Sequence, residues 1–156
     1  MNKHTTLLSV CLLLASAFLF SCKKDKNGCE NGNLCFTLND MDVSVNATRR
    51  ALPNDRFRLY WEEGADSNYK NVEIDIFGNG IGEYTFKLNS GVVGDAGFQY
   101  YIKDNGIETD YQGTAGTFNV TSVDDGVWSG NFSGTVSNGT ASFELKDGKF
   151  FKVPLE

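Results

Sequence analysis

The sequence predicts an all-β fold, an antiparallel meander of about 8–10 strands, and three observations lead to this prediction. After residue 33, apolar and polar residues alternate with period two, which is the pattern of strands that bury one face. Asn-Gly and Asp-Gly pairs, typical of tight hairpin turns, separate several of these runs. The 156 residues include 17 glycines, 12 phenylalanines, 6 tyrosines and 2 tryptophans, and such an aromatic-rich composition favours strands over helices.

The chain begins with a segment typical of a secretory signal peptide. Lys3 and His4 precede an apolar run over residues 7–20, which is shorter than the roughly 20 apolar residues that span a bilayer. An uncleaved membrane anchor is the alternative, but the segment Leu19-Phe20-Ser21-Cys22 resembles a bacterial lipobox. We therefore expect a helical signal peptide over residues 1–21. The resemblance implies acylation of Cys22, with palmitate as a typical chain.

The composition after residue 21 excludes several functions. Lys3 and the only histidine, His4, leave with the signal peptide, so 13 basic and 20 acidic residues remain and the net charge is −7. An acidic chain is not expected to bind nucleic acid. Without histidine, Ser-His-Asp and Cys-His systems and histidine-based zinc sites are excluded in their usual form. We expect no catalytic residue, no metal and no cofactor.

Two cysteines near the start of the mature chain are predicted to form a disulfide. Residues 22–33 are polar and glycine-containing, which indicates a flexible tether, followed by a single β domain over residues 34–156. Cys29 and Cys35 can pair in an oxidising envelope compartment. Zinc binding or redox activity is the alternative, but further ligands are missing and the spacing is not Cys-x-x-Cys. The short disulfide loop would contribute about 2–2.5 kcal/mol.

The alternating runs follow one another along the β domain. Their inward residues are predicted to be Phe36, Leu38, Val43, Val45, Ala47, Phe57, Leu59, Trp61, Val72, Ile74, Ile76, Tyr84, Phe86, Leu88, Phe98, Tyr100, Ile102, Phe118, Val120, Trp128, Phe132, Val136, Phe143 and Leu145. Turns are expected at residues 39–40, 51–55, 79–80, 105–106, 125–126, 138–139 and 147–148. Tight turns imply that neighbouring strands pair in chain order.

About ten strands must hide two sheet edges, either by closing into a barrel or by folding into a curved sandwich. Glycines at the inward positions Gly116, Gly130 and Gly134 allow a sheet to bend sharply. Both architectures stay open at this point.

Outward positions supply a candidate binding surface. Tyr60, Phe77 and Tyr101 lie opposite the apolar series and are suited to stack on a sugar or a partner, unless those strands are buried on both faces. Four arginines flank the 51–55 turn: Arg49, Arg50, Arg56 and Arg58. They are suited to bind an anion, and a solvated hairpin tip that protects a sheet edge is the alternative.

A carboxylate pair is the enzyme chemistry that the composition leaves open. The outward acids are Glu73, Asp75, Glu83, Glu108, Asp110 and Glu144. A solvated acid is the ordinary occupant of such positions, and the sequence selects no two of them. Asp40-x-Asp42 and Asp124-Asp125 lack the spacing of a calcium-binding EF-hand and fit turn geometry better.

Two stretches resemble a known family. The segment Leu19-Phe20-Ser21-Cys22-Lys23-Lys24-Asp25 resembles the lipobox region of lipoproteins from Bacteroidota. Gly-x-Phe at 116–118, Ser-Gly-x-Phe at 129–132 and Asp-Gly-x-Phe at 147–150 are similar to the last strands of small lipoproteins of unknown function from that phylum. The resemblance implies a lipid anchor in the outer membrane and brings no known activity. Because Lys24-Asp25 matches the surface-export signal in part, the periplasmic and cell-surface faces both stay open.

These observations predict a membrane-anchored lipoprotein of the cell envelope with a non-catalytic binding or interaction domain. The membrane is contacted through the lipid on Cys22, and an envelope protein or a glycan is the candidate partner. Two alternatives stay open: a carboxylate-based glycan-acting enzyme, and a lipocalin-like carrier that holds an apolar ligand in a barrel cavity.

Overall fold

A computed structural model of the chain describes residues 29–88 and 91–156, in which it shows ten strands and no helix. The strands are β1 (Leu34–Leu38), β2 (Met41–Val45), β3 (Thr48–Leu52), β4 (Arg56–Ala65), β5 (Asn68–Phe77), β6 (Gly82–Phe86), β7 (Asp95–Asp104), β8 (Ile107–Asp124), β9 (Val127–Ser137) and β10 (Ser142–Val153). The predicted signal peptide and Cys22 lie outside the described residues. Within those residues, no helix has the length and hydropathy needed to cross a membrane.

All ten strands belong to one strongly curved sheet in the order β2-β1-β10-β9-β8-β6-β7-β5-β4-β3. The pairs are antiparallel except β6 and β7, which run parallel over two residue pairs. The ladder is not closed, because β2 and β3 at its two ends do not pair with each other. These end strands are nevertheless consecutive in the chain and separated only by Asn46-Ala47. The prediction of an all-β, mostly antiparallel fold is confirmed, with the shape of a barrel-like or curved-sandwich sheet.

The exposed edge of β3 is covered by the residues that follow β10. The Arg49 backbone N–H donates to the Pro154 carbonyl oxygen over 2.7 Å, and the Glu156 N–H donates to the Arg49 carbonyl over 2.8 Å. Arg49 and Leu155 therefore form an isolated parallel bridge. This bridge blocks an edge that would otherwise present unpaired backbone groups to another chain.

β6 departs from the predicted meander. Asn79-Gly80 does not form a hairpin, because β5 pairs with β7 and β6 lies between β7 and β8. The backbone at the end of β5 is already occupied: Gly94 N–H donates to Phe77 O over 2.8 Å, and Gly78 N–H donates to Asp55 O over 2.9 Å. β6 therefore finds its partners further along the chain.

Turn-type residues have two different uses in this chain. Asn105-Gly106 and Asp125-Gly126 form the predicted tight turns, with positive φ at both residues. Asp147-Gly148 was predicted to be a hairpin turn and lies instead inside β10, where the register shifts between Leu145 and Gly148. Asp147 adopts φ 52° there, since some bulges, like tight turns, use a residue in the left-handed conformation. The strand bends at this point and does not reverse.

Aromatic rings fill the interior of the curved sheet. The Phe118 and Phe150 rings stack with centroids 4.6 Å apart, and Phe36 packs edge-to-face on Phe98 at 5.5 Å. Phe132 contacts both Phe118 and Phe98, so that a single apolar cluster extends through the domain. Leu88 was predicted to point inward but lies beyond the end of β6 and is 52% exposed.

The ordered domain extends further toward the N-terminus than predicted. The Asn33 side-chain N–H donates to the Ala47 carbonyl over 2.9 Å, and its amide oxygen accepts from the Ala47 N–H over 2.7 Å. Cys29 is buried and lies within disulfide distance of Cys35, with Cα atoms 5.6 Å apart. The disulfide pairing is confirmed, whereas residues 29–33 are part of the sheet's packing and not of a free tether. The sequence pattern did not predict this extension, because backbone and side-chain amide groups make the contacts of Asn33 and leave no apolar alternation to detect.

Candidate functional site

The outward side chains of β4, β5, β7 and the first half of β8 form one polar surface, here called the outer face. Tyr60 on β4 pairs with Glu73 on β5, which pairs with Gln99 on β7, which pairs with Gln112 on β8. The β4–β5 and β5–β7 ladders contain no register shift. Directly opposed side chains on one sheet face are about 5 Å apart. The outer face therefore presents straight rows of neighbouring polar groups.

A cleft of about 570 Å³ opens on this face at the point where β7 and β8 separate to admit β6. Its lining residues are Arg56, Glu73, Asp75, Phe77, Lys87, Leu88, Gly91, Gly97, Phe98, Gln99, Gln112 and Gly113. Gly97 and Gly113 contribute backbone alone. A Cβ at Gly113 would lie 3.0 Å from the Phe98 Cβ, a tight contact that would push β7 and β8 slightly apart.

Arg58 holds the two acids of the cleft. Its Nε and Nη2 donate to the two carboxylate oxygens of Asp75 over 2.7 and 3.0 Å, and its Nη1 lies 2.6 Å from Glu73 Oε2. Arg56, also on β4, donates from Nη2 to Asp75 Oδ2 as well. The hydrogen bond to Asp75 raises the pKa of the Arg58 guanidinium. Bidentate geometry of this kind fixes side chains more firmly than a single contact does.

A second set of contacts orients two amides beside the acids. Gln99 Nε2 donates to Asp110 Oδ1 over 2.9 Å, and Gln112 Nε2 donates to Asp110 Oδ2 over 2.7 Å. Each amide retains a second N–H and a carbonyl oxygen with which it can bond a ligand. At the rim, Lys87 Nζ lies 2.9 Å from Asp95 Oδ1.

Three tyrosines lie beside the cleft on the outer face, and two of them, Tyr60 and Tyr69, share one acceptor, Glu62. The Tyr69 hydroxyl donates to Glu62 Oε2 over 2.8 Å, and the Tyr60 hydroxyl donates to the same oxygen. The Tyr101 ring lies 6.1 Å from the Tyr69 ring. Burial, followed by the bond to Glu62, raises the pKa of Tyr60. The hydrogen bonds from Tyr60 and Tyr69 lower the pKa of Glu62. We call these four residues the tyrosine cluster.

The predicted binding residues are brought together with one exception. Arg56, Arg58 and Phe77 lie in or beside the cleft, and Tyr60 and Tyr101 lie in the tyrosine cluster. Arg50 lies above the Tyr60 ring at 4.3 Å and is paired with Glu156. Both predicted groups, aromatic and basic, therefore occupy one continuous face.

Arg49 is the exception, because it points inward. It pairs with the buried Leu59 and is itself only 5% exposed. Its guanidinium carbon lies 4.8 Å above the Phe57 ring and 4.6 Å above the Trp128 ring, and Nη2 donates to the Gly126 carbonyl over 2.6 Å. Burial lowers the pKa of Arg49. Period-two alternation through Val45 and Ala47 would have placed it inward, but its charge argued for the surface.

Sequence reasoning missed the amides Gln99 and Gln112 and selected neither Glu73 nor Asp75 from the outward acids. The sequence feature that could have selected Asp75 is the β4–β5 hairpin. If its turn at residues 65–68 is placed correctly, the register sets Arg58 opposite Asp75 and Arg56 opposite Phe77.

The other surface hollow of note lies on β9 and β10. It measures about 560 Å³ and is lined by Ser133, Gly134, Thr135, Glu144, Leu145, Lys146 and Asp147, with no aromatic residue among them. It therefore offers no stacking surface and serves as a comparison site.

Across residues 29–88 and 91–156, no three His, Cys, Asp or Glu side chains are grouped in a way that could hold a metal ion. No protein-family model, no curated protein and no solved structure matches the chain.

Proposed function

We propose that this chain is a membrane-anchored lipoprotein of the cell envelope whose β domain binds its ligand at the outer-face cleft without catalysis. The observation that carries the binding proposal is the cleft itself. Its volume of about 570 Å³ falls in the usual range for ligand sites, roughly 300–1,000 Å³. It combines an aromatic ring with convergent polar groups that neighbouring side chains hold in place.

The anchoring part of the proposal rests on the apolar run at residues 7–20 and on Ser21-Cys22. Two acyl chains at Cys22 would give stable outer-membrane attachment, which a single chain does not. Cys22→Ala in the full chain is expected to move the protein to the soluble fraction after cell lysis. Cys11→Ala is the matched control and should stay with the membranes. Membrane retention of the Cys22 variant would contradict the lipid anchor.

The binding proposal is tested with the full-length lipoprotein in detergent micelles. Calorimetric titration with a panel of soluble glycans and purified envelope proteins should give a response that Arg56→Ala weakens. Lys146→Ala, in the hollow on β9 and β10, should leave that response unchanged. Flat responses across the panel would count against a binding domain.

The enzyme alternative has one observation in its favour, since Glu73 and Asp75 lie in the same cleft. Glycoside hydrolysis requires one carboxyl group to deliver a proton to the leaving group. Both acids instead lie against arginine donors. This favours a role in holding the side chains of the cleft in place over a role in proton transfer. Hydrolysis of a glycan that is abolished by Glu73→Gln or Asp75→Asn would establish the enzyme.

The lipocalin-like alternative requires an interior cavity for an apolar ligand. Stacked rings such as Phe118 and Phe150 occupy the centre of the curved sheet. This packing favours a ligand bound on the outer face over an apolar ligand carried inside the curved sheet.

A further inference from the structure

We infer that the cleft binds an uncharged, hydroxyl-rich chain, a neutral oligosaccharide, along the strand direction of the outer face. This inference rests on the proposed binding function and names the ligand class. It follows from the charge balance of the cleft, from the kinds of hydrogen-bonding groups in it, and from the arrangement of its aromatic rings.

The charges of the cleft are satisfied by one another. Asp75 and Glu73 are bonded to Arg58, and Arg56 also bonds Asp75. An anionic ligand would have to displace a carboxylate from an arginine, and a cationic ligand would have to displace an arginine from a carboxylate. Breaking a partly buried charge pair leaves the remaining charge without a partner, which is costly. A neutral ligand can bind without breaking any pair.

The groups that remain available suit hydroxyls. Gln99 and Gln112 line the cleft, and each amide offers a donor and an acceptor. A hydroxyl group both donates and accepts, so it can bond to guanidinium, amide and carboxylate alike. Several hydroxyls at short spacing therefore match this mixture better than a purely accepting phosphate or carboxylate does.

Aromatic rings stand at both ends of the polar strip along β5. Phe77 lies at one end, beneath the Arg56 guanidinium at 5.2 Å, and Tyr69 lies at the other end. They are eight residue steps apart along an extended strand, which corresponds to roughly 26 Å. Asp75, Glu73 and Asn71 occupy the outward positions between them. Ring faces pack well against the C–H faces of sugars. Because the Arg56 guanidinium covers one face of Phe77, a sugar would pack against the part of that ring that lines the cleft, and the strip fits an extended chain of several sugar units.

The position of the cleft within the sheet disfavours an extended peptide. Peptides commonly bind to sheets by adding a strand to an open edge. β5 is hydrogen-bonded to β4 on one side and to β7 on the other, so no backbone edge is available in the strip. Recognition there depends on side chains alone.

The experiment uses the full-length lipoprotein in detergent micelles and isothermal calorimetry. The neutral probes are cellohexaose, xylohexaose, mannohexaose and maltohexaose, and the anionic probe is hexagalacturonate. At least one neutral probe is expected to bind, with a Kd that changes less than about twofold between about 50 and 500 mM NaCl, because no charge is exchanged. Preferential binding of hexagalacturonate that weakens about tenfold with salt would overturn the inference and leave the binding function standing.

Two variants locate the binding site. Phe77→Ala removes the ring and should weaken the affinity for the neutral probe by about tenfold or more. Gly97→Leu should block the cleft with little cost in stability, because a Cβ there meets only the Asp75 Cβ at 3.8 Å. Gly82→Leu is the matched control, since its Cβ meets nothing within 4 Å and Gly82 does not line the cleft. All three must keep the melting temperature of the parent to within a few degrees.

The outcomes separate the two proposals. Neutral binding that both Phe77→Ala and Gly97→Leu weaken, and that Gly82→Leu preserves, supports the oligosaccharide site. Neutral binding that neither cleft variant alters overturns the placement of the ligand in the cleft. A response to envelope proteins that Gly97→Leu abolishes, with none to the neutral probes, overturns the ligand class alone. The absence of a cleft-dependent response to every probe overturns the proposed binding function as well.

Discussion

Two regions of the sheet differ in regularity and in what their outward positions carry. β4, β5 and β7 pair over ten and eight residue pairs without a register shift, and their outward residues, apart from glycines such as Gly97, are large and polar or aromatic. β8, β9 and β10 contain two register shifts in each of their two ladders. Their facing outward residues are small, as in the pairs Thr117–Ser133 and Asn119–Asn131.

The difference places the sheet's curvature and the candidate binding surface in separate parts of one sheet. Bulges and the facing glycines Gly116 and Gly134 let the β8–β10 region bend sharply. β4, β5 and β7 can then stay regular, which keeps Arg58, Asp75 and Gln99 in fixed rows. Substitutions in the curved region should therefore affect folding, and substitutions on the outer face should affect binding.

The largest expected effect is at Gly130. The Asn119 carbonyl oxygen and the Phe150 ring occupy the space that a side chain would need, so Gly130→Val should cost about 3 kcal/mol or more, or prevent folding. Urea unfolding followed by tryptophan fluorescence measures the loss. Gly82→Val in β6, which meets open space, is expected to change the free energy of unfolding by about 0.5 kcal/mol or less. Equal losses at the two positions would contradict the special constraint at Gly130 in the curved region.

Substitution of Arg49 tests whether a charged side chain contributes to the packing of the core. Arg49→Ala removes packing against Phe57 and Trp128 and leaves the Gly126 carbonyl without its donor. We expect a loss of about 2–3 kcal/mol in urea unfolding. Arg50→Ala is the matched control, because Arg50 is exposed and paired with Glu156 on the surface, and it should leave the urea midpoint nearly unchanged. The reverse order of effects would contradict the inward placement of Arg49.

The disulfide ties Cys29 to Cys35 on β1, the strand that pairs with β10 of the curved region. Replacing Cys29 and Cys35 together by alanine should lower the free energy of unfolding by about 2 kcal/mol. Reduction of the parent protein by dithiothreitol should give the same loss, while the double variant should not respond to the reductant. Ligand affinity at the cleft is expected to stay the same, since β1 does not contribute to the outer face. A weakened affinity would show that the two regions are coupled.

The smallest effect is electrostatic and concerns the tyrosine cluster. Burial and the bond to Glu62 raise the pKa values of Tyr60 and Tyr69. Their contribution to stability is therefore complete below the unfolded pKa of about 10. It is lost as the pH rises through the folded values. Absorbance at 295 nm should show these tyrosines ionising at higher pH in the native protein than in guanidinium.

Glu62→Gln tests the cause of that shift. It removes the carboxylate acceptor and should move part of the native titration to lower pH, whereas Glu63→Gln should not. The pKa of Glu62 is itself lowered by the same bonds, so its contribution is lost as the pH falls below the ordinary value of 4.5. An unchanged titration in Glu62→Gln would assign the shift to burial alone.

Much of the fold was predictable because strand formation leaves a local signal. Period-two alternation identified the inward series through Val72, Ile74 and Ile76, and it placed Tyr60 and Phe77 outward. The same signal does not choose partners, so the position of β6 between β7 and β8 was missed. A positive φ at Asp147 serves a bulge as well as a turn, and the two uses look alike in the sequence.

The candidate site was harder to predict than the fold. Asp75, Gln99 and Gln112 come from three strands, and only the register brings them to one cleft. Each of them in isolation is an ordinary solvated residue. The aromatic residues were found because an apolar ring at an outward position is unusual, whereas an amide or an acid there is not.

The pairing of β1 with β10 has a consequence for the timing of folding. Leu34 is hydrogen-bonded beside Phe150, more than a hundred residues later. A chain that is delivered from its N-terminus can form the β1–β2 hairpin and the Cys29–Cys35 loop early, but one side of β1 stays unpaired until residues 142–153 arrive. Long-range pairing of this kind is slow compared with local contacts. Until then β1 has an open edge to which another chain can pair. A chaperone that shields this edge would therefore prevent aggregation during the time before β10 pairs with β1.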